Sequence, residues 1–183
     1  DREIVTLRRA GLVHDIGRLG VSNAIWDKPG PLGPGEWERV KMHPYLTERM
    51  LNQSSLASIG TLAGQMRERM DGSGYPRGMH GAQISRQARI LAAADAYRSM
   101  REVRPHRAAL GADDAADALR ADVRAGRMDG DAVESVLGAA GHRVARRRNA
   151  LRDRVPRAAQ RDRSRARRRH ALEAEVVPVV DRQ

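Results

Sequence analysis

Apolar positions along the first 140 residues return at helical intervals and almost never alternate. In residues 3 to 16, Ile4, Val5, Leu12, Val13 and Ile16 recur with a helical period, and Gly17 supplies a stop. The proline and glycine run DKPGPLGPG at 27 to 35 reads as a loop. After it, Glu36, Trp37 and Val40 restart a helix that His43-Pro44 interrupts and that resumes from Tyr45 to Leu51. A helix over roughly 55 to 69 leads into the dense turn DGSGYPRG. Residues 85 to 100 set Ile90, Leu91, Ala94 and Met100 on a helix capped by Ser85, and shorter helices follow over about 113 to 124 and 130 to 140. No strand alternation of useful length occurs, so the expected class is an all-α helical bundle.

Composition sharpens this picture. The chain has 183 residues, 40% apolar, with no Phe and 3% aromatics, so its core must be built from Leu, Ile, Val, Met and Ala. The absence of cysteine excludes disulfides, thiolate nucleophiles and thiolate metal ligands, and fits a reducing compartment. No apolar run approaches the roughly 20 residues a membrane helix needs, and no signal peptide is evident, so a cytoplasmic location without membrane contact is expected. A chain opening on Asp1 is expected to be a fragment or a processed form.

The net charge of +11 is unevenly placed. Residues 143 to 183 carry 14 arginines against 5 acidic residues, a net of +9, and residues 1 to 142 carry the remaining +2. A domain boundary near residue 142 is expected, followed by a basic low-complexity tail that self-repels and stays disordered.

Two features of the body carry candidate chemistry. His14-Asp15 offers mixed nitrogen and oxygen ligation for iron, manganese or zinc. His43 and Asp95 lie on or beside helices able to pack against the first, and Asp95 sits inside the apolar run AAADAY, where a buried carboxylate needs a cation or basic partner.

AGLVHDIGRLG, IWDKPGPL, EWERVKMHP, DGSGYPRG and ARILAAADAY occur in the order and approximate spacing of HD-GYP domains, a resemblance that covers about residues 7 to 140. That resemblance implies an all-helical fold, two or three bound metal ions, iron or manganese, and hydrolysis of cyclic di-GMP by a metal-activated water. Position by position, it implies metal ligation by His14, Asp15, His43 and Asp95, with Asp15 and Arg18 in catalytic roles. It implies a substrate pocket shaped by Asp71, Gly74, Tyr75 and Pro76, with Arg77, Arg104 and Arg107 as phosphate partners. Gly72 and Gly74 allow backbone angles closed to other residues, and Pro76 fixes its own.

The chain departs from that pattern at three places. The family's His-His pair before Glu-Arg-x-Asp-Gly is here Met66 and Arg67. A further family histidine would fall before Asp1, and the lysine after His-Asp is Arg18, which changes the donor geometry. Metal-assisted phosphodiester hydrolysis needs one cation to lower the pKa of water from about 15.7 to about 7 and another to balance phosphate charge. A guanidinium where a dication should sit opposes the second. Arg67 is expected either to coexist with one metal or to pair with Asp15 or Asp95 in its place. The main functional expectation is a degenerate HD-GYP module that senses a cyclic dinucleotide or another phosphate ligand, forms a homo-oligomer and controls transcription. The alternatives are an active metal-dependent cyclic di-GMP phosphodiesterase, and nucleic-acid binding through the tail.

The remaining residues receive structural roles. His80, His106 and His142 are expected to face solvent, Met66, Met70 and Met79 to pack, and Trp26 and Trp37 to pin the proline loop to the core. In the tail, GHRVARRRNAL begins like the link to a LuxR-type helix-turn-helix that would bind DNA in the intact gene. The arginine-rich text after about Leu151 reads like a shifted frame.

Overall fold

The computed structural model of the protein describes residues 2–52, 55–103 and 107–143. The expectations for Arg104, His106 and the tail beyond Arg143, including its disorder, its DNA-binding link and its reading frame, lie outside the described residues. The described residues belong to one compact unit and carry helices and no strand. A lone antiparallel bridge joins Asp71 to His80. None of these helices is long and apolar enough to cross a membrane.

The helices are α1 (Arg2–Val13), α2 (Asn23–Trp26), α3 (Pro34–Lys41), α4 (His43–Leu51), α5 (Ala57–Ala63), α6 (Arg86–Arg101), α7 (Ala112–Arg124) and α8 (Gly130–Ala139). Short 3-10 turns occupy Ile16–Gly20 and Gly81–Gln83. The sequence pattern places α6 well, because Ser85 caps it through an Oγ that accepts the Ala88 N–H at 3.3 Å. Asp129 caps α8 in the same way, accepting from Ala132 at 2.9 Å.

Helix α6 is the spine. Its Ala88 and Leu91 join Ala10 of α1 and Ile59, Leu62 and Ala63 of α5 in one core cluster, which also buries Met66 and Ile84. Its Ala93 and Met100 join Ala115, Ala116 and Leu119 of α7 and Val133 and Leu137 of α8 in a second. Val21, Ile25 and Val40 form a third, on which Trp26, Leu32 and Trp37 pack, so both tryptophans hold the proline loop to the core.

Three expectations need correction. Helix α1 stops at Val13, so Ile16 belongs to the 3-10 turn and His14-Asp15 lies between the two elements. Its apolar face is also not the buried one: Ile4, Val5 and Leu12 are exposed, Leu12 by 78%, and Ala10, Leu7 and Val13 face the core. The small Ala10 lets α1 approach α5 and α6 closely, which outweighs the larger side chains on the other face. Helix α5 ends at Ala63, and residues 64 to 67 continue as turns.

Candidate metal centre

Close packing of the 3-10 turn on α4 creates the site. A Cβ on Gly17 would stand 2.0 Å from the His43 carbonyl oxygen and 2.4 Å from the Thr47 nitrogen, so only glycine allows this approach. Gly17 is thus more than a helix stop. Thr47, fully buried one turn after His43, ties the two elements: its hydroxyl accepts the Gly17 N–H at 3.0 Å and donates to the His14 carbonyl at 2.9 Å. Thr47 is absent from the sequence expectations, although its place four residues after His43, on the same helical face, is a legible signal.

Both imidazoles are oriented by backbone. Nδ1 of His14 donates to the Gly11 carbonyl and Nδ1 of His43 to the Val40 carbonyl, each at 2.7 Å. A carbonyl only accepts, so Nδ1 carries the hydrogen and Nε2 of each neutral ring is a lone pair. His14 Nε2 lies 3.6 Å from Asp15 Oδ1 and 3.4 Å from Asp95 Oδ1, and His43 Nε2 lies 3.9 Å from Asp15 Oδ1. His14, Asp15, His43 and Asp95 therefore converge from three separate segments, the His14-Asp15 turn, the start of α4 and the middle of α6.

Lone pairs facing carboxylate oxygens need a proton or a cation between them. Burial works against a charged His14, but the Asp95 and Asp15 carboxylates outweigh it and raise its pKa above the usual 6.5. His43 goes the other way, to about 4, chiefly through burial, with the Arg67 and Arg18 charges adding to it against the Val40 bond and Asp15. His43 is thus neutral at physiological pH.

A divalent cation is the cofactor that these donors suggest. Among the described residues no ligating group is closed round a common point as a finished site. Even so, Asp15 Oδ1 and His43 Nε2 are both buried without a hydrogen-bond partner, and two imidazole nitrogens beside two carboxylates suit iron, manganese or zinc. By donor type one cation suits these residues. A second does not, because Arg67, 4% exposed, sets its Nη2 3.3 Å from Asp95 Oδ2, and Met66 is buried in the α1–α5–α6 core.

The turn after Arg67 is built on the same stretch. Tyr75 N–H donates to the Arg67 carbonyl at 3.1 Å, and the buried Glu68 carboxylate accepts the N–H groups of Arg77 and Met79, both at 2.8 Å. Gly74 is required for space, not for its backbone angle, since a Cβ there would lie 2.3 Å from the Arg69 nitrogen; Gly72 and Gly78 are the ones with positive φ, +81° and +63°. The Tyr75-Pro76 bond is cis. Tyr75 stands edge-on between His43, at 6.2 Å, and Trp37, at 6.1 Å. Of the expected pocket residues, Asp71 is exposed and caps its own turn through Ser73, Arg77 is ion-paired with Glu48, and Arg107 donates to the Ser99 carbonyl at 2.6 Å. Arg18 is the expected basic residue that the structure sets beside the centre, 3.3 Å from Asp15 Oδ2.

The family model for the HD domain matches residues 1–132. The chain belongs to the HD domain family. Among curated relatives of this HD-domain chain, the "3'3'-cGAMP-specific phosphodiesterase 3" of Vibrio cholerae is 47% identical over 116 residues, 63% of this chain and 25% of that protein. The "cyclic di-GMP phosphodiesterase response regulator RpfG" of Xanthomonas campestris is 34% identical over 112 residues, 60% of this chain and 30% of the relative. A "cyclic di-GMP phosphodiesterase" of Thermotoga maritima is 36% identical over 107 residues, 57% and 29% of the two chains. The HD-domain chain thus spans between a quarter and a third of the length of these relatives.

Proposed function

We propose that this chain is the hydrolytic module, of HD-GYP type, of a phosphodiesterase for 3',3'-cyclic dinucleotides, working with one divalent cation. The observation that carries this reading is the convergence of His14, Asp15, His43 and Asp95, with Asp15 Oδ1 and His43 Nε2 buried and unsatisfied. The names of the relatives supply the substrate class. His14, Asp15 and His43 would hold the cation, with Asp95 held jointly by His14 and Arg67. A divalent cation there supplies Lewis acidity toward a phosphoryl oxygen and acidifies a water.

The chain's own residues do the rest. Gly17 and Thr47 fix the His14-Asp15 turn against α4, so these donors are ordered before ligand arrives. Arg18 presents a half-exposed guanidinium at the mouth of the site, suited to a phosphate. Tyr75 and Trp37 form an aromatic wall beside His43, against which a base can lie.

A second reading, a ligand-sensing module without catalysis, is favoured by one observation: the buried Arg67–Asp95 ion pair supplies positive charge without any metal. The test is turnover of 3'3'-cGAMP and cyclic di-GMP by protein reconstituted with manganese or iron, followed as linear dinucleotide. Hydrolysis lost in His14→Ala and Asp15→Ala supports the phosphodiesterase. Metal-independent binding without product supports the sensor, and neither binding nor turnover refutes both.

A further inference from the structure

Trp26 touches Arg18 twice. Its indole N–H donates to the Arg18 carbonyl at 3.3 Å, and the Arg18 guanidinium carbon lies 4.2 Å from the indole centroid. The same indole meets the His43 ring edge-on at 5.9 Å. Arg18 is therefore held on one side by an aromatic face and at one nitrogen by Asp15 Oδ2, 3.3 Å away, while its side chain remains 39% exposed.

We propose that Trp26 is a positioning residue that turns Arg18 into a rigid phosphate fork beside the metal centre. A guanidinium is planar and binds phosphate through two parallel N–H groups, which works well only if its plane is fixed beforehand. A stacked indole fixes that plane, and an ammonium, lacking one, gains much less from it. Asp15 occupies one edge of the fork, so the plane set by Trp26 decides where the other donors point. A purely structural Trp26 would need only its contacts with Val21, Ile25 and Val40, which another apolar side chain could replace. Stacking on a cation needs the π-face, and the indole N–H to the Arg18 carbonyl fixes the root of the same side chain. The inference deepens the phosphodiesterase reading and rests on it for the identity of the ligand.

The test is a double-mutant cycle on the manganese-loaded chain with two probes, 3'3'-cGAMP for KM and kcat and inorganic pyrophosphate for Kd. The sequence has 2 tryptophans, so with Trp37→Phe as the common background of every protein compared, Trp26 is the sole tryptophan. Its emission, excited at about 295 nm to spare the tyrosines, reports ligand at Arg18. Trp26→Leu is expected to raise KM and the pyrophosphate Kd by about 5- to 30-fold, the range of a partly desolvated cation–π contact, with little change in kcat. Trp26→Phe is expected to recover part of that loss. In an Arg18→Lys background, Trp26→Leu should add little, and pyrophosphate should no longer perturb Trp26 emission. Equal effects of Trp26→Leu in both backgrounds, an unchanged KM and Kd in a folded variant, or no pyrophosphate response in the parent protein overturn the inference. A pyrophosphate response that depends on both residues, without binding or turnover of the dinucleotide, sustains the inference and sinks the phosphodiesterase reading.

Discussion

Arg67→His exchanges a fixed buried charge for a neutral ligand and should change how many cations the chain holds. The Arg67 Nη2 to Asp95 Oδ2 distance of 3.3 Å corresponds to an attraction of about 5 kcal/mol at an effective dielectric near 20, before the desolvation of both groups is subtracted. A dication placed about 4 Å from that guanidinium would be repelled by about 8 kcal/mol on the same scale, roughly a millionfold in binding. Even cut threefold, the repulsion of about 3 kcal/mol is roughly a hundredfold in binding. The parent protein should therefore retain one manganese per chain after dialysis. Arg67→His should retain more than one, and added manganese should raise its Tm further than that of the parent, because only the folded state binds the ion. Metal content by plasma emission, with calorimetric titration, reads this directly. Two tightly bound manganese ions in the parent, or no gain in a folded Arg67→His variant, would refute the electrostatic reasoning.

Other consequences can be measured on stability alone. Gly17→Ala should cost about 3 kcal/mol or more, since its methyl would collide with backbone atoms of His43 and Thr47; a urea midpoint within error of the parent would show that the turn and α4 separate easily. Arg89→Ala should cost about 2 kcal/mol, because this side chain bonds the Ile84 and Gly81 carbonyls and Asp129, joining the Gly81–Gln83 turn to the start of α8. His43 is depressed to about 4, so the unfolded chain takes up a proton that the folded chain refuses. Its contribution is present in full above pH 6.5 and is lost as pH falls toward 4. Urea titrations of metal-free protein at pH 7 and pH 5 should show this loss, and His43→Asn, which keeps a donor for the Val40 carbonyl, should show less of it.

Much of the fold was legible because α6, α7 and α8 carry both a helical pattern and local stop or cap signals at their ends. Ser85 is a cap whose side chain works within its own helix, so sequence alone locates it; Asp129 caps α8 in the same local way and was not singled out. Helix α1 was legible as a helix but not in its orientation, because its largest apolar residues lie on the exposed side and the deciding contact is made by Ala10. The four candidate ligands were singled out through motif order, not through periodicity, and Thr47 escaped because its partners, Gly17 and the His14 carbonyl, are 30 and 33 residues away. His142 was expected at the surface. It is 11% exposed, with Nε2 2.8 Å from the Tyr97 hydroxyl and Nδ1 3.5 Å from Asp113 Oδ1, a long-range pairing invisible in GHR.

The turn DGSGYPRG follows Met66-Arg67, and it is held to that segment through backbone and the Glu68 carboxylate. Tyr75 bonds the carbonyl of Arg67, which every residue type supplies, and Arg77 and Met79 bond the carboxylate of Glu68, which this chain retains. Gly74 packs against the backbone of Arg67, Glu68 and Arg69, with their side chains uninvolved. None of these contacts uses the side chain of residue 66 or 67. The contacts just described therefore place no demand on which side chains stand at positions 66 and 67. Met66 is a core residue of the α1–α5–α6 cluster, and Arg67 directs its charge at Asp95. Under the proposed reading, pocket shape and cation number would thus be set by different atoms of one short segment, backbone and Glu68 for the first and the side chain of Arg67 for the second.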